Sequence, residues 1–149
     1  MRKKKLKIEF FDTTSGLDFP LKIFRPFVEQ VCRQEDVPAG QVRIIGVTDE
    51  YLRHLHQQFL DDDSYSDVMV FPLDEGVNKE AEIYISVERA QAHTKTYRVT
   101  IQEEIARLIC HALLHLQGLD DQNPADRKKM RAEENRILKK YWKPFFYSK

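Results

Sequence analysis

Apolar residues change their spacing several times along the chain, and each change marks an element. Residues 6–11 (LKIEFF) partly alternate and predict a first strand, closed by the turn-rich DTTSG at 12–16. From 21 to 35 the apolar positions Ile23, Phe24, Phe27, Val28, Val31 and Cys32 recur at helical spacing. Pro26 is tolerated if that helix starts near Arg25, because a first-turn proline removes no N–H that the helix needs. Pro38, Ala39 and Gly40 open a turn, and 42–47 (VRIIGV) reads as a second strand. Thr48 or Asp49 can cap a short helix to about Gln57, packed through Leu52, Leu55 and Phe59. A polar loop at 61–66 leads to the β-rich run 68–71 (VMVF), stopped by Pro72. After a polar turn at 73–79, 82–86 (EIYIS) alternates as a strand, and Ser86 caps a helix to about Lys95.

The next stretch is different. Thr100 with Glu103 three residues on forms a capping-box pattern. The helix it opens is apolar on nearly every side: Leu108, Ile109, Cys110, Ala112, Leu113, Leu114 and Leu116. Such a helix is buried. Gly118 can end it in the left-handed conformation. Asn123 and Pro124 then start a last helix that runs to about Trp142, with Met130, Ile137, Leu138 and Tyr141 on one face. With no internal repeat and no linker, residues 1–149 read as a single domain. The expected class is α+β: a small mixed β-sheet packed with helices around a metal-binding central helix.

At 149 residues the chain is long enough to bury a real core. The formal net charge is zero, which excludes a global positive field drawing in nucleic acid. Charge is uneven, however: basic at MRKKKLK and at Lys139 and Lys140, acidic at Asp61, Asp62 and Asp63. Cys32 and Cys110 give no disulfide framework and read as reduced thiols. No stretch is apolar enough to span a membrane, and no signal-peptide segment comes after the basic start, so the expected compartment is the cytoplasm.

The buried helix carries the candidate chemistry. His111 and His115 are four residues apart, so both imidazoles point the same way and can share one cation. Asp121 follows His115 by six residues, past the Gly118 turn. The pattern H-x-x-x-H-x-x-G-x-x-D has the ligand and glycine spacing of the metzincin proteases, with Asp in place of the third His. Two nitrogens and a carboxylate oxygen suit Zn2+, one per chain, with a position open to water. The residue after His111, where H-E-x-x-H proteases keep their general base, is Ala112. That disfavours a peptidase of this type. Glu104, two turns before His111 on the same face, could act as base or orient a ligand; the plainer alternative is that it stabilises the helix N-terminus.

HALLHLQGLDD (His111 to Asp121) resembles the signature H-G-x-L-H-L-x-G-Y-D-H of the YbeY family. The segments SDVMVFP (Ser66 to Pro72) and AEIYIS (Ala81 to Ser86), and the pair Met130 and Glu134, extend the resemblance. It implies a metal-dependent, single-strand-specific endoribonuclease acting in maturation of the 16S 3′ end and in ribosome quality control. Its partners would be ribosomal RNA and the ribosomal small subunit. Carried over, His111, His115 and the third-ligand position Asp121 would bind zinc, with neighbouring Asp120 as the alternative third ligand. An arginine common in the family falls at Leu60 when counted back from Ser66. Lys95, Arg98, Arg107 and the basic termini are candidates, on charge alone, for contacts to an RNA backbone. Two other readings stay open: a non-catalytic ribosome-associated factor with a structural zinc, and a metal-dependent hydrolase of another substrate.

Overall fold

Alternation sorts the strand side chains onto two faces, and the helices cover those faces unequally. The computed structural model describes residues 6–14, 16–60, 66–73 and 79–144. In chain order it has β1 (Lys7–Asp12), a 3-10 turn (Leu21–Phe24), α1 (Arg25–Gln34), β2 (Gln41–Val47), α2 (Asp49–Leu60), β3 (Val68–Pro72) and β4 (Glu80–Ser86). Then come α3 (Val87–Tyr97), α4 (Ile101–Leu116), α5 (Pro124–Ile137) and a wide π turn (Leu138–Trp142). The sheet order is β1-β2-β4-β3. β1, β2 and β4 run parallel, with Ile8 opposite Val42, and Ile44 opposite Ile83. β3 runs antiparallel to β4, with Val68 opposite Ile85. The sheet is therefore mixed and the class is α+β, as the pattern predicts.

One face carries Ile8, Val42, Ile44, Ala81, Ile83 and Ile85, all buried. Most of them join one core with Phe27, Val28 and Val31 of α1 and with Ile105, Ile109 and Leu113 of α4. Trp142 closes this core, stacked on Phe24 (5.4 Å between ring centres) and edge-on to Phe27 (5.5 Å). The other face is covered by α2, where Val47, Leu52, Leu55 and Met69 form a smaller cluster. Cys32 and Cys110 are both buried free thiols.

The structure moves several expected boundaries. The helical run at 21–35 divides into the 3-10 turn and α1. A continuous α-helix would set the Pro26 ring against the carbonyl of Lys22, so regular winding begins at Arg25. β4 starts at Glu80 because that residue still pairs with Gln41. α2 continues to Leu60, and the last helix widens into its π turn after Ile137. The acidic run at 61–63 and the basic residues 1–5 lie outside the described residues.

Candidate metal centre

The site is assembled by the C-terminal half of α4 and by the turn that leads from it into α5. Thr100 caps the helix, its hydroxyl accepting from the Glu103 N–H at 3.1 Å. At the other end Gly118 takes φ +99°, a conformation other residues rarely adopt. The Gly118 N–H donates to the His115 carbonyl (3.0 Å) and the Leu119 N–H to the Leu114 carbonyl (3.1 Å). These are the paired bonds of a Schellman turn. The turn sends the chain back past the helix end, and Asn123 stops the excursion by accepting from the Asp126 N–H at the start of α5.

Asp121 is thereby brought against both histidines. His111 Nε2 lies 3.2 Å from Asp121 Oδ2, His115 Nε2 lies 3.6 Å from Asp121 Oδ1, and the two Nε2 atoms are 3.1 Å apart. Two atoms bound about 2.0–2.1 Å from a tetrahedral zinc stand about 3.3 Å from each other. The Nε2–Nε2 spacing and the approach of one Asp121 oxygen to each ring are of that size, and the donor set, two imidazoles and a carboxylate, fits the ion. Asp120 is occupied otherwise: its Oδ1 accepts from the Asp121 N–H at 2.8 Å. The three side chains are 20, 26 and 32 % exposed, so solvent reaches them.

Behind His111 stands Glu134 of α5, only 4 % exposed. Its Oε2 is 2.6 Å from His111 Nδ1, and its Oε1 accepts from Arg107 Nη1 at 3.1 Å. An ionised carboxylate can only accept, so the His111 proton sits on Nδ1 and Nε2 turns its lone pair to the site. Burial alone would raise the Glu134 carboxyl, but His111 and Arg107 hold it below the ordinary value. Burial works against protonating His111, yet the Glu134 bond and the charges of Glu134, Asp121 and Asp67 outweigh it and raise its pKa.

The trio opens into a cleft of about 540 Å³ whose far wall is His56 and Phe59 of α2 and the strand β3. Beyond the trio, the ionisable side chains lining it among the described residues are His56 and Asp67. Neither stood out in the sequence. Asp67 lies within SDVMVFP, which offered a signal; His56 offered none, because only the fold carries α2 across from α4. Glu134 was visible only as part of a resemblance, with no role attached.

Glu104 is placed elsewhere. Its carboxylate is 2.7 Å from His93 Nδ1 of α3, it is buried, and it lines neither cavity that His111 borders. Burial raises its pKa against the opposing pull of His93. Lys95 and Arg98 also lie away from the cleft, and Arg98 ends α3 in the left-handed conformation. Leu60 is the last residue of α2; its side chain lies outside the described residues.

Comparison with known proteins gives the family. The sequence profile of the family Endoribonuclease YbeY matches residues 10–142. A Flavobacterium psychrophilum protein named Endoribonuclease YbeY is 34 % identical over 113 residues, which cover 76 % of this chain and 81 % of the relative. A Porphyromonas gingivalis protein of the same name is 29 % identical over 135 residues, 89 % of this chain and 88 % of that one. The solution structure of a Thermotoga maritima protein shares the fold, with a TM-score of 0.63 at 23 % identity over 95 % of this chain and 93 % of that chain. With the profile running from within β1 to Trp142 and across His111, His115 and Asp121, the chain belongs to the YbeY endoribonuclease family.

Proposed function

We propose that this chain, as one domain, is a zinc-dependent endoribonuclease that cuts single-stranded RNA in the cleft between α2, β3 and α4. The observation that carries the reading is the converging triangle of His111, His115 and Asp121 at the mouth of that cleft. Those residues would hold the ion. Zinc there supplies Lewis acidity toward a phosphoryl oxygen and toward water. Glu134 keeps the His111 proton on Nδ1 and the ring fixed in orientation. His56 and Asp67 are the groups in the cleft that can hold or move a proton, the work that Ala112 cannot do. Glu104 enters the reading as an anchor of α4 against α3 through His93, not as the base.

Phe59 is 59 % exposed at the cleft and meets Phe71 edge-on with centres 5.2 Å apart. An unpaired base can stack on such a ring, whereas a base inside a duplex cannot offer its face. This supports single-strand preference. Family membership alone supports the rest: maturation of the 16S 3′ end, ribosome quality control, the ribosomal small subunit as partner and a cytoplasmic setting. No helix among the described residues is long and apolar enough to cross a membrane.

A structural zinc is the competing reading. Structural sites are closed by four protein ligands. This cluster has three among the described residues and borders an open cleft, which favours catalysis. The test is cleavage of a single-stranded ribosomal RNA fragment. Wild-type protein is expected to cut it; chelated protein, His111→Ala and Asp121→Ala, each checked for wild-type circular dichroism, are not. RNA left intact by the wild type, or cut equally well by all four, would sink the proposal.

A further inference from the structure

The N-terminal half of α5 gathers positive charge. Arg127 closes its first turn, where a positive side chain opposes the helix N-terminus, and Lys128, Lys129 and Arg131 follow in the second. Arg127 and Arg131 also share one face a turn apart, a like-charge spacing that destabilises a helix. Asp126, the acidic residue of the first turn, is turned to Asn123 instead of to them. Arg131 makes no hydrogen bond or ion pair among the described residues, and Arg127 reaches only the carbonyls of Asp121 and Gln122, each at 3.5 Å. Both are exposed.

The two arginines line a second cavity of about 220 Å³. It shares Asp67, His111 and Asp121 with the main cleft, so it adjoins the metal centre. At about 30 Å³ per water it has room for about seven waters, enough for a phosphate group with part of its hydration. Its third arginine, Arg107, is neutralised by Glu134 at 3.1 Å. With Asp121 committed to the metal site, Asp67 is the anionic group left to face Arg127 and Arg131. Three guanidiniums and three carboxylates line the cavity; an ion that takes up Asp121 tips the balance positive, and guanidinium forks match phosphate oxygens in pairs.

We propose that Arg127 and Arg131 form a subsite for a backbone phosphate of the RNA strand, next to the phosphate held at the metal centre. The subsite rests on the endoribonuclease reading and adds to it where the neighbouring nucleotide is gripped. Such a grip acts on substrate and transition state alike, so it sets KM rather than kcat.

The test uses the full-length protein with its metal on a single-stranded RNA oligonucleotide across a salt series. R127Q/R131Q is expected to raise KM about 10-fold with kcat within about 2-fold. The slope of log(kcat/KM) against log salt should become shallower by about 0.7, one phosphate contact on a single strand. K128Q/K129Q removes the same charge from outside the cavity and should leave both quantities as in the wild type. R131Q alone should give part of the effect, which covers the case that Arg127 also steadies the Asp121 turn. Equal losses in both double variants, or no loss in R127Q/R131Q while the wild type cuts RNA, would overturn the subsite and leave the nuclease reading standing. A wild type that neither binds the oligonucleotide, read by fluorescence anisotropy, nor cuts it would overturn both.

Discussion

The two ring nitrogens of His111 do different work. Nδ1 donates to Glu134, and Nε2 faces His115 and Asp121. Glu134→Gln removes the charge that raises ligand basicity and lets the ring choose its proton. Metal affinity is expected to fall about 10–100-fold, measured by competition with a chromophoric chelator, while the fold is kept. Unchanged affinity would mean that Glu134 merely fills space. Gly118 is the other decisive residue. Its φ of +99° strains any side chain, although a Cβ there would meet nothing within 4 Å. Gly118→Ala should therefore cost about 1–2 kcal/mol in urea unfolding through backbone strain alone. At this scale the convergence of His111, His115 and Asp121 was legible in the sequence, because the helical repeat fixes the two histidines and glycine marks the turn to Asp121. Glu134 was not, because its meeting with His111 depends on how α5 lies on α4. That Asp121 is the aspartate that meets the histidines also needed the turn itself, which directs Asp120 back onto the backbone.

Among elements, the junction at the end of α1 ties the most pieces together. The Glu35 carbonyl accepts from Gln117 just past α4, and its carboxylate accepts from Arg136 of α5 and from Tyr141 of the π turn. The Arg136 bond holds the Glu35 carboxyl below its usual value, against burial, with Tyr141 helping. A depressed carboxyl contributes stability above its unfolded pKa of about 4.3. That contribution is lost as pH falls through the folded value. Glu35→Gln should cost about 1–2 kcal/mol at pH 7, kept low because Arg136 is 44 % exposed. The gap between wild type and variant in urea unfolding should close as pH drops below about 4; a gap that stays constant would rule out the carboxylate as its source. Element types were readable from periodicity and caps, since Thr100, Ser86 and Asn123 all cap where expected. Boundaries were less so. The 3-10 start follows from Pro26, and the π end, where Trp142 stacks on Phe24, has no signal in the simple helical period.

For the whole molecule, the sheet separates stability from chemistry. Its core face is sealed by α1 and α4, while the cleft lies beyond β3, between α2 and the far end of α4. A metal ion bridging α4 and the turn before α5 would add stability by mass action, about 2.7 kcal/mol at 100-fold excess over Kd. Chelation should lower Tm by several degrees yet leave a cooperative unfolding transition, since the main core does not depend on the ion. An unfolded chelated protein would favour the structural-zinc reading. The sequence could not show which elements face each other across the cleft: His56 and Asp67 reach the site only through contacts distant along the chain. The metal centre itself is tested most directly by X-ray absorption at the zinc edge of the purified protein. The expected shell is four-coordinate, with two imidazole nitrogens and oxygens from Asp121 and water, all at about 2.0–2.2 Å. Sulfur in the shell, six oxygens, or an unaltered shell in His115→Ala would contradict it.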